Sequence, residues 1–362
     1  SAARARDTIA RNLASAVKRG KLSEAARDAI LSDALATVVG YDALSDADLV
    51  VEAVFENMDV KTQVFQELDR VCKPGAVLAT NTSYLDVNQI AQATSRPGDV
   101  IGLHFFSPAH VMKLLEIVFA YATATDVTAT AFALAKKLGK IGVRAGVCDG
   151  FIGNRILSHY RTAVDHMVLD GASPYAVDRA LVDFGFAMGP YQVSDLAGLD
   201  IGWKKGAKTA NPIRDALCEL DRRGQKTGAG YYDYDESRKN IPSDVTAGII
   251  RDITGATDAT LLAADIVDRC VIPMVNEALA ILEENKTQRP SDIDVVWING
   301  YGWPLDKGGV MYYADTIGAD KVLAVMTDLA ASDDSIRVSP LLDELVRTGG
   351  RFVDIDTGGL KV

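Results

Sequence analysis

Gly102-Leu103-His104-Phe105-Phe106-Ser107-Pro108 is followed, twelve residues after its histidine, by Glu116 in Lys113-Leu114-Leu115-Glu116-Ile117-Val118. The fold turns on how these two apolar runs are read. Each is strand-like, each carries one buried-looking polar side chain, and a turn separates them. Sequential strands usually lie side by side, so His104 and Glu116 are candidates for direct contact. A histidine at a strand end beside a carboxylate is the arrangement of a general base and the group that orients it. The plain alternative is a buried structural histidine and a surface glutamate on an edge strand.

Upstream, strands and helices alternate. Ile9, Leu13 and Val17 recur at helical spacing, Gly20 stops that helix, and Ser23-Glu24 opens another. Residues 48–54 form a valine-rich burst that reads as a parallel strand. A helix is expected over 58–71, with Val60, Val64, Phe65 and Leu68 toward the sheet. A strand over 76–80, a short helix over 87–93, strands over 100–106 and 114–119, a helix over 126–139 and a last strand over 140–144 complete the pattern. Such alternation with short connections predicts an α/β sheet covered on both faces. Ligands bind beyond the carboxyl ends of the strands in such sheets, and Glu56, Asn81, Ser83 and His104 all fall there.

Beyond about residue 150 the chain reads as helices, over 151–169, 175–182 and 193–207, with a further helix within 211–245 whose tail from Gly228 onward reads as a surface connection. Residues 258–362 look like a second copy. Ser291-Asp292-Ile293-Asp294 corresponds to Ser173-Pro174-Tyr175 and Asp178. Tyr301-Gly302-Trp303-Pro304 stands where Phe184-Gly185-Phe186 stood, and Asp315 follows as Asp195 does.

The 362 residues, 48% hydrophobic and 24% charged, predict a globular chain of two or three domains. A net charge of -11 argues against a nucleic-acid partner. Four scattered cysteines form no CxxC pair and read as thiols of a reducing compartment, the cytoplasm. No eighteen-residue apolar run suggests a membrane span, and the charged, helical opening does not read as a secretory leader. His104, His110 and Glu116 fit no ligand spacing, so no metal is expected. His159 and His166, seven apart on one helix, read as packing or surface residues. Ser83 offers a hydroxyl near the proposed base. Asn154 offers either an amide to a substrate oxygen or a helix cap. Glu56 and Lys61 allow an ordinary surface pair. No GxGxxG turn occurs where a dinucleotide fold would open.

Several ordered segments together resemble the 3-hydroxyacyl-CoA dehydrogenases, especially the dehydrogenase part of multifunctional β-oxidation proteins. They are Val51-Glu52-Ala53-Val54-Phe55-Glu56-Asn57 with Val60-Lys61, Ala79-Thr80-Asn81-Thr82-Ser83, the His104 and Glu116 segments, and Gly150-Phe151-Ile152-Gly153-Asn154-Arg155. Met188-Gly189-Pro190 through Asp200, Gly224-Gln225-Lys226-Thr227-Gly228-Ala229-Gly230-Tyr231 and Arg289-Pro290-Ser291-Asp292-Ile293-Asp294 extend the match over nearly the whole chain.

The resemblance implies an α/β Rossmann-like parallel sheet domain, incomplete at its N-terminus, followed by two duplicated all-helical domains, with boundaries at 1–148, 149–245 and 246–362. It implies NAD-dependent oxidation of an (S)-3-hydroxyacyl-CoA, with His104 as base, Glu116 as its partner, and Ser83 and Asn154 on the substrate oxygen. Ala53, Glu56, Lys61, Asn81, Ser83 and Ser107 would surround the nicotinamide half of NAD. Ser107 stands where the family commonly has asparagine, which predicts a weaker or water-mediated contact. The family's first strand, glycine turn and second strand are expected upstream of residue 1. A molecule lacking them is expected to bind NADH weakly and turn over negligibly. A fused upstream hydratase domain and a homo-oligomer are further expectations. The rival readings are a dehydrogenase of another 3-hydroxy acid or thioester, and a helical interaction or structural fragment without a complete cofactor site.

Overall fold

The computed structural model describes residues 2–256 and 261–356; the ends of the second expected repeat, at 258–260 and 357–362, lie outside the described residues. Two helices lead in, α1 (Ala2–Lys18) and α2 (Glu24–Ala29), the second capped by the Ser23 hydroxyl accepting the Ala26 N–H. There follow β1 (Leu49–Glu52), α3 (Met58–Val71), β2 (Val77–Thr80), α4 (Val87–Gln92), β3 (Val100–Phe105), β4 (Leu114–Phe119), α5 (Thr125–Lys137) and β5 (Ile141–Gly146). The five strands lie in the order β1-β2-β3-β4-β5.

β1, β2 and β3 run parallel, and β5 runs parallel to β4, but β3 and β4 are antiparallel. The sheet is thus the expected Rossmann-like, predominantly parallel one, with a single antiparallel step. Residues 106–113 are too few for the crossover that a parallel neighbour needs, so the chain turns back on itself. That reversal sets His104 directly opposite Glu116 across the ladder.

Alternation along the strands gives the sheet two different faces. Val77, Ala79, Ile101, Leu103, Leu115 and Ile117 pack beneath Val127, Ala131 and Ala135 of α5. Leu78, Val100, Leu114 and Val118 belong to the larger core that continues into the helical half of the chain. His104 and Glu116 alternate with the first set, so they point toward the helices.

The helical half holds α6 (Gly153–Leu169), α7 (Pro174–Phe184), α8 (Pro190–Ala197), α9 (Pro212–Glu219), then β6 (Tyr232–Tyr234) and β7 (Asn240–Pro242). α10 (Asp244–Thr254), α11 (Ala263–Glu283), α12 (Pro290–Gly300), α13 (Val310–Ile317), α14 (Ala319–Ser332) and α15 (Pro340–Thr348) follow. Two expectations change here. The helix read over 193–207 ends at Ala197, because Gly198 takes φ 105° and turns the chain away. The stretch read as a surface connection forms the β6–β7 ribbon, anchored by the buried rings of Tyr231 and Tyr232.

The two copies share one construction. Asp178 in α7 accepts the N–H groups of Tyr191 and Gln192 at the start of α8, at 2.9 and 3.1 Å. Asp294 in α12 does the same for Met311 and Tyr312 at the start of α13, at 2.7 and 3.3 Å. Asp195 then accepts from Tyr231 and Tyr232, and Asp315 from Phe352 and Val353. Burial pushes Asp178 and Asp294 alike up to about 6, although the N–H donors pull the other way. Asp294→Ala removes the acceptor for two helix-start N–H groups and is expected to destabilise the fold by about 2–3 kcal/mol in urea denaturation. A loss below about 0.5 kcal/mol would contradict that role.

Candidate active site

Strand pairing alone brings the central pair together. The imidazole Nδ1 of His104 lies 2.7 Å from Glu116 Oε2. Glu116 is fully buried and His104 only 4% exposed, which excludes the reading of Glu116 as a surface residue. A buried carboxylate must be neutralised or heavily hydrogen-bonded. Glu116 meets this with its second oxygen, since Oε1 accepts the N–H of Ile152 at 3.2 Å and of Gly153 at 2.9 Å. Those are free donors at the start of α6, where the helix dipole also favours negative charge. In the tautomer that donates its Nδ1–H to this carboxylate, the imidazole presents the Nε2 lone pair. Among the described residues, Nε2 has no protein partner. Phe106 and Phe151 wall the ring, at centroid distances of 4.6 and 5.7 Å.

Asn154 follows on the first turn of α6. Its Oδ1 accepts the hydroxyl of Tyr301 at 2.8 Å, which leaves its NH2 end without a protein acceptor among the described residues. Tyr301 arrives from the end of α12, and its ring also meets Phe106 edge-on at 5.5 Å.

A second cluster forms at the carboxyl ends of β1 and β2. Lys61, 1% exposed, places Nζ 2.7 Å from Glu52 Oε1 and 3.5 Å from Glu56 Oε2. Glu52 also accepts from the Val54 N–H at 2.6 Å and the Thr80 hydroxyl at 2.7 Å. Glu56 Oε1 accepts from the Thr82 hydroxyl and from the N–H groups of Ser83 and Tyr84. Burial opposes ionisation of Glu56, yet these donors and Lys61 outweigh it and hold its carboxyl below the usual range. The reading of Glu56 and Lys61 as a surface pair is thus wrong for Lys61, because the α3 face carrying it packs onto the strand ends. Asn81 Oδ1 accepts the Phe105 N–H at 2.8 Å and ties this ledge to the end of β3.

The sequence-derived residues separate cleanly. His104, Glu116 and Asn154 converge, and Glu56, Lys61 and Ser83 form the adjoining cluster, with Asn81 between them. Ala53 is exposed immediately after β1. Ser107 is exposed and joins neither cluster by a side-chain hydrogen bond among the described residues. His110 is exposed in the loop, and His159 pairs with Glu277 at 3.0 Å. Glu52 and Tyr301 escaped the sequence reading. A carboxylate ending a valine-rich strand was a usable signal for Glu52; nothing local marks Tyr301.

A sheet carrying polar groups along one edge, roofed by a helical half that supplies Asn154, is the architecture of a two-part dinucleotide-binding dehydrogenase class. The family model described as the 3-hydroxyacyl-CoA dehydrogenase NAD binding domain matches residues 1–148. The one described as the C-terminal domain matches both 150–234 and 266–352. The chain belongs to the 3-hydroxyacyl-CoA dehydrogenase family.

It is 46% identical over 305 residues to the peroxisomal bifunctional enzyme of Homo sapiens, covering 77% of this chain and 42% of that protein. It is 38% identical over 319 residues to the fatty acid oxidation complex subunit alpha of Shewanella oneidensis, covering 86% and 45%. The chain spans about half the length of the curated relatives it matches. Among solved structures, the 3-hydroxybutyryl-CoA dehydrogenase of Escherichia coli K12 superposes with TM-score 0.80 at 27% identity, covering 96% of this chain and 91% of that one. The dehydrogenase part of multifunctional enzyme 1 from C. elegans gives TM-score 0.67 at 30% identity, covering 95% and 82%.

Proposed function

We propose that the protein oxidises an (S)-3-hydroxyacyl-CoA to the 3-oxoacyl-CoA, with His104 as general base. The observation that carries this reading is the buried 2.7 Å contact between His104 Nδ1 and Glu116 Oε2, which leaves Nε2 as the proton acceptor. His104 Nε2 takes the C3 hydroxyl proton as the C3–H bond breaks, and Glu116 stabilises the imidazolium that forms. The Ser83 hydroxyl and the Asn154 amide hold the oxygen as it becomes a carbonyl. NAD, when bound, accepts the C3 hydride.

The residues of the strand-end cluster fit the nicotinamide-ribose half of that cofactor. Glu56 keeps one oxygen turned to solvent beside Lys61, suited to sugar hydroxyls, and Asn81 has its NH2 end left over after bonding Phe105. Ala53 and Ser107 are the further residues assigned to this half, Ser107 through a weaker or water-mediated contact because serine reaches less far than asparagine. A hydratase is the proposed companion activity, on the strength of the bifunctional relatives. The cytoplasm is the proposed compartment, since Cys72, Cys148, Cys218 and Cys270 are all free thiols. Among the described residues no helix is long and apolar enough to cross a membrane.

The test compares NADH formation from (S)-3-hydroxybutyryl-CoA and from free 3-hydroxybutyrate. The ester is expected to be preferred by at least about 100-fold in kcat/KM, because the free acid forfeits the binding energy of the CoA portion. Equal rates would transfer the reading to a 3-hydroxy acid dehydrogenase.

A further inference from the structure

We infer that Tyr301, supplied by the second helical copy, is a positioning residue that sets which end of the Asn154 amide faces the substrate oxygen. The inference rests on the dehydrogenase reading above and goes beyond it in making the second copy part of the site.

An asparagine amide has two ends of nearly equal size and opposite hydrogen-bonding sense. For Asn154 to donate to a developing carbonyl, its Oδ1 must be occupied elsewhere. A tyrosine hydroxyl both donates and accepts, so proximity alone would not choose the orientation. The surroundings of Tyr301 do choose it. The hydroxyl is largely buried, and among the described residues its one acceptor is Asn154 Oδ1, at 2.8 Å. Turning the amide around would leave the phenol O–H with no acceptor, a cost of about 1–3 kcal/mol for a buried donor. Ionisation offers no escape, because burial and the nearby Glu116 charge push the phenol far above its ordinary pKa. Tyr301 is therefore a permanent donor.

The ring is fixed as firmly as the hydroxyl. It stacks on Trp297 at 4.7 Å, and Phe106, which walls His104, meets it edge-on. Its other side lies on Gly153, where an added Cβ would stand 2.3 Å from the ring. Gly153 is the residue whose N–H holds Glu116. One ring thus touches the base's wall, the carboxylate's donor and the substrate-binding amide. The corresponding position of the first copy is Phe184, which has no hydroxyl; it stacks with Phe186 instead. The first copy thus has a packing ring alone at this place, and the second a ring with a hydrogen-bonding hydroxyl.

Tyr301→Phe retains the ring and removes only the O–H. In the intact protein, kcat with (S)-3-hydroxybutyryl-CoA is expected to fall about 10- to 100-fold while KM changes less than about threefold. The melting temperature should stay within about 2 °C of wild type, which a merely structural role in this cluster would not allow together with the kcat loss. Asn154→Ala combined with Tyr301→Phe should be no slower than Asn154→Ala alone, because the hydroxyl then has nothing to orient. An active wild type with an unimpaired Tyr301→Phe variant, or with additive losses in the double variant, overturns this inference alone. A wild type that turns over no 3-hydroxyacyl-CoA overturns the dehydrogenase reading and this inference with it.

Discussion

His104→Gln is expected to lower kcat roughly a thousandfold, within the range that a positioned general base contributes. Glutamine matches the reach of the imidazole and still donates an N–H to Glu116, so the carboxylate keeps its buried partners. What the variant lacks is a nitrogen lone pair able to take a proton at neutral pH. The backbone of His104 sits inside the β3–β4 ladder, which the substitution leaves intact, and the melting temperature should shift little. NADH formation under saturating substrate measures the effect. Turnover within tenfold of wild type would remove His104 from the role of base, whatever the geometry of its pair.

Lys61→Met carries the largest expected effect on stability. Methionine matches the lysine stem in length and flexibility, so packing is nearly preserved. The charge is not. Glu52 is itself buried at 4% exposure, and Lys61 is its cation at 2.7 Å. Removing one partner of such a pair leaves an uncompensated buried charge and typically costs about 3–5 kcal/mol. Urea denaturation of Lys61→Met should show that loss. Glu52→Gln combined with Lys61→Met should recover most of it, since a neutral amide can accept the Val54 N–H on its oxygen and donate from its NH2 to the Thr80 hydroxyl oxygen. A single variant within about 1 kcal/mol of wild type would mean that water reaches Glu52 and the pair is not sealed.

Local pattern made much of this legible. The valine-rich bursts, the Lys73-Pro74-Gly75 and Arg96-Pro97-Gly98 breaks and the apolar runs around His104 and Glu116 located the strands to within a residue or two. The repeat was visible because Ser291-Asp292-Ile293-Asp294, Tyr301-Gly302-Trp303 and Asp315 echo in the same order Ser173 with Asp178, Phe184-Gly185-Phe186 and Asp195. Strand direction was not legible from periodicity, since both orientations bury the same alternating residues; loop length decided it. Periodicity left Lys61 open between a surface pair and a site residue, because its burial depends on how α3 docks on the ends of β1 and β2. Tyr301 was hidden for a stronger reason. Its partner is 147 positions away, and only the docking of the second copy against the start of α6 joins them.

The two oxygens of Glu116 face different halves of the molecule, one toward the imidazole on β3 and one toward the opening turn of α6. The pair itself is made within the sheet, and the N–H groups at the start of α6 then satisfy the carboxylate's other oxygen, so the helical half braces a contact that the strands have already set.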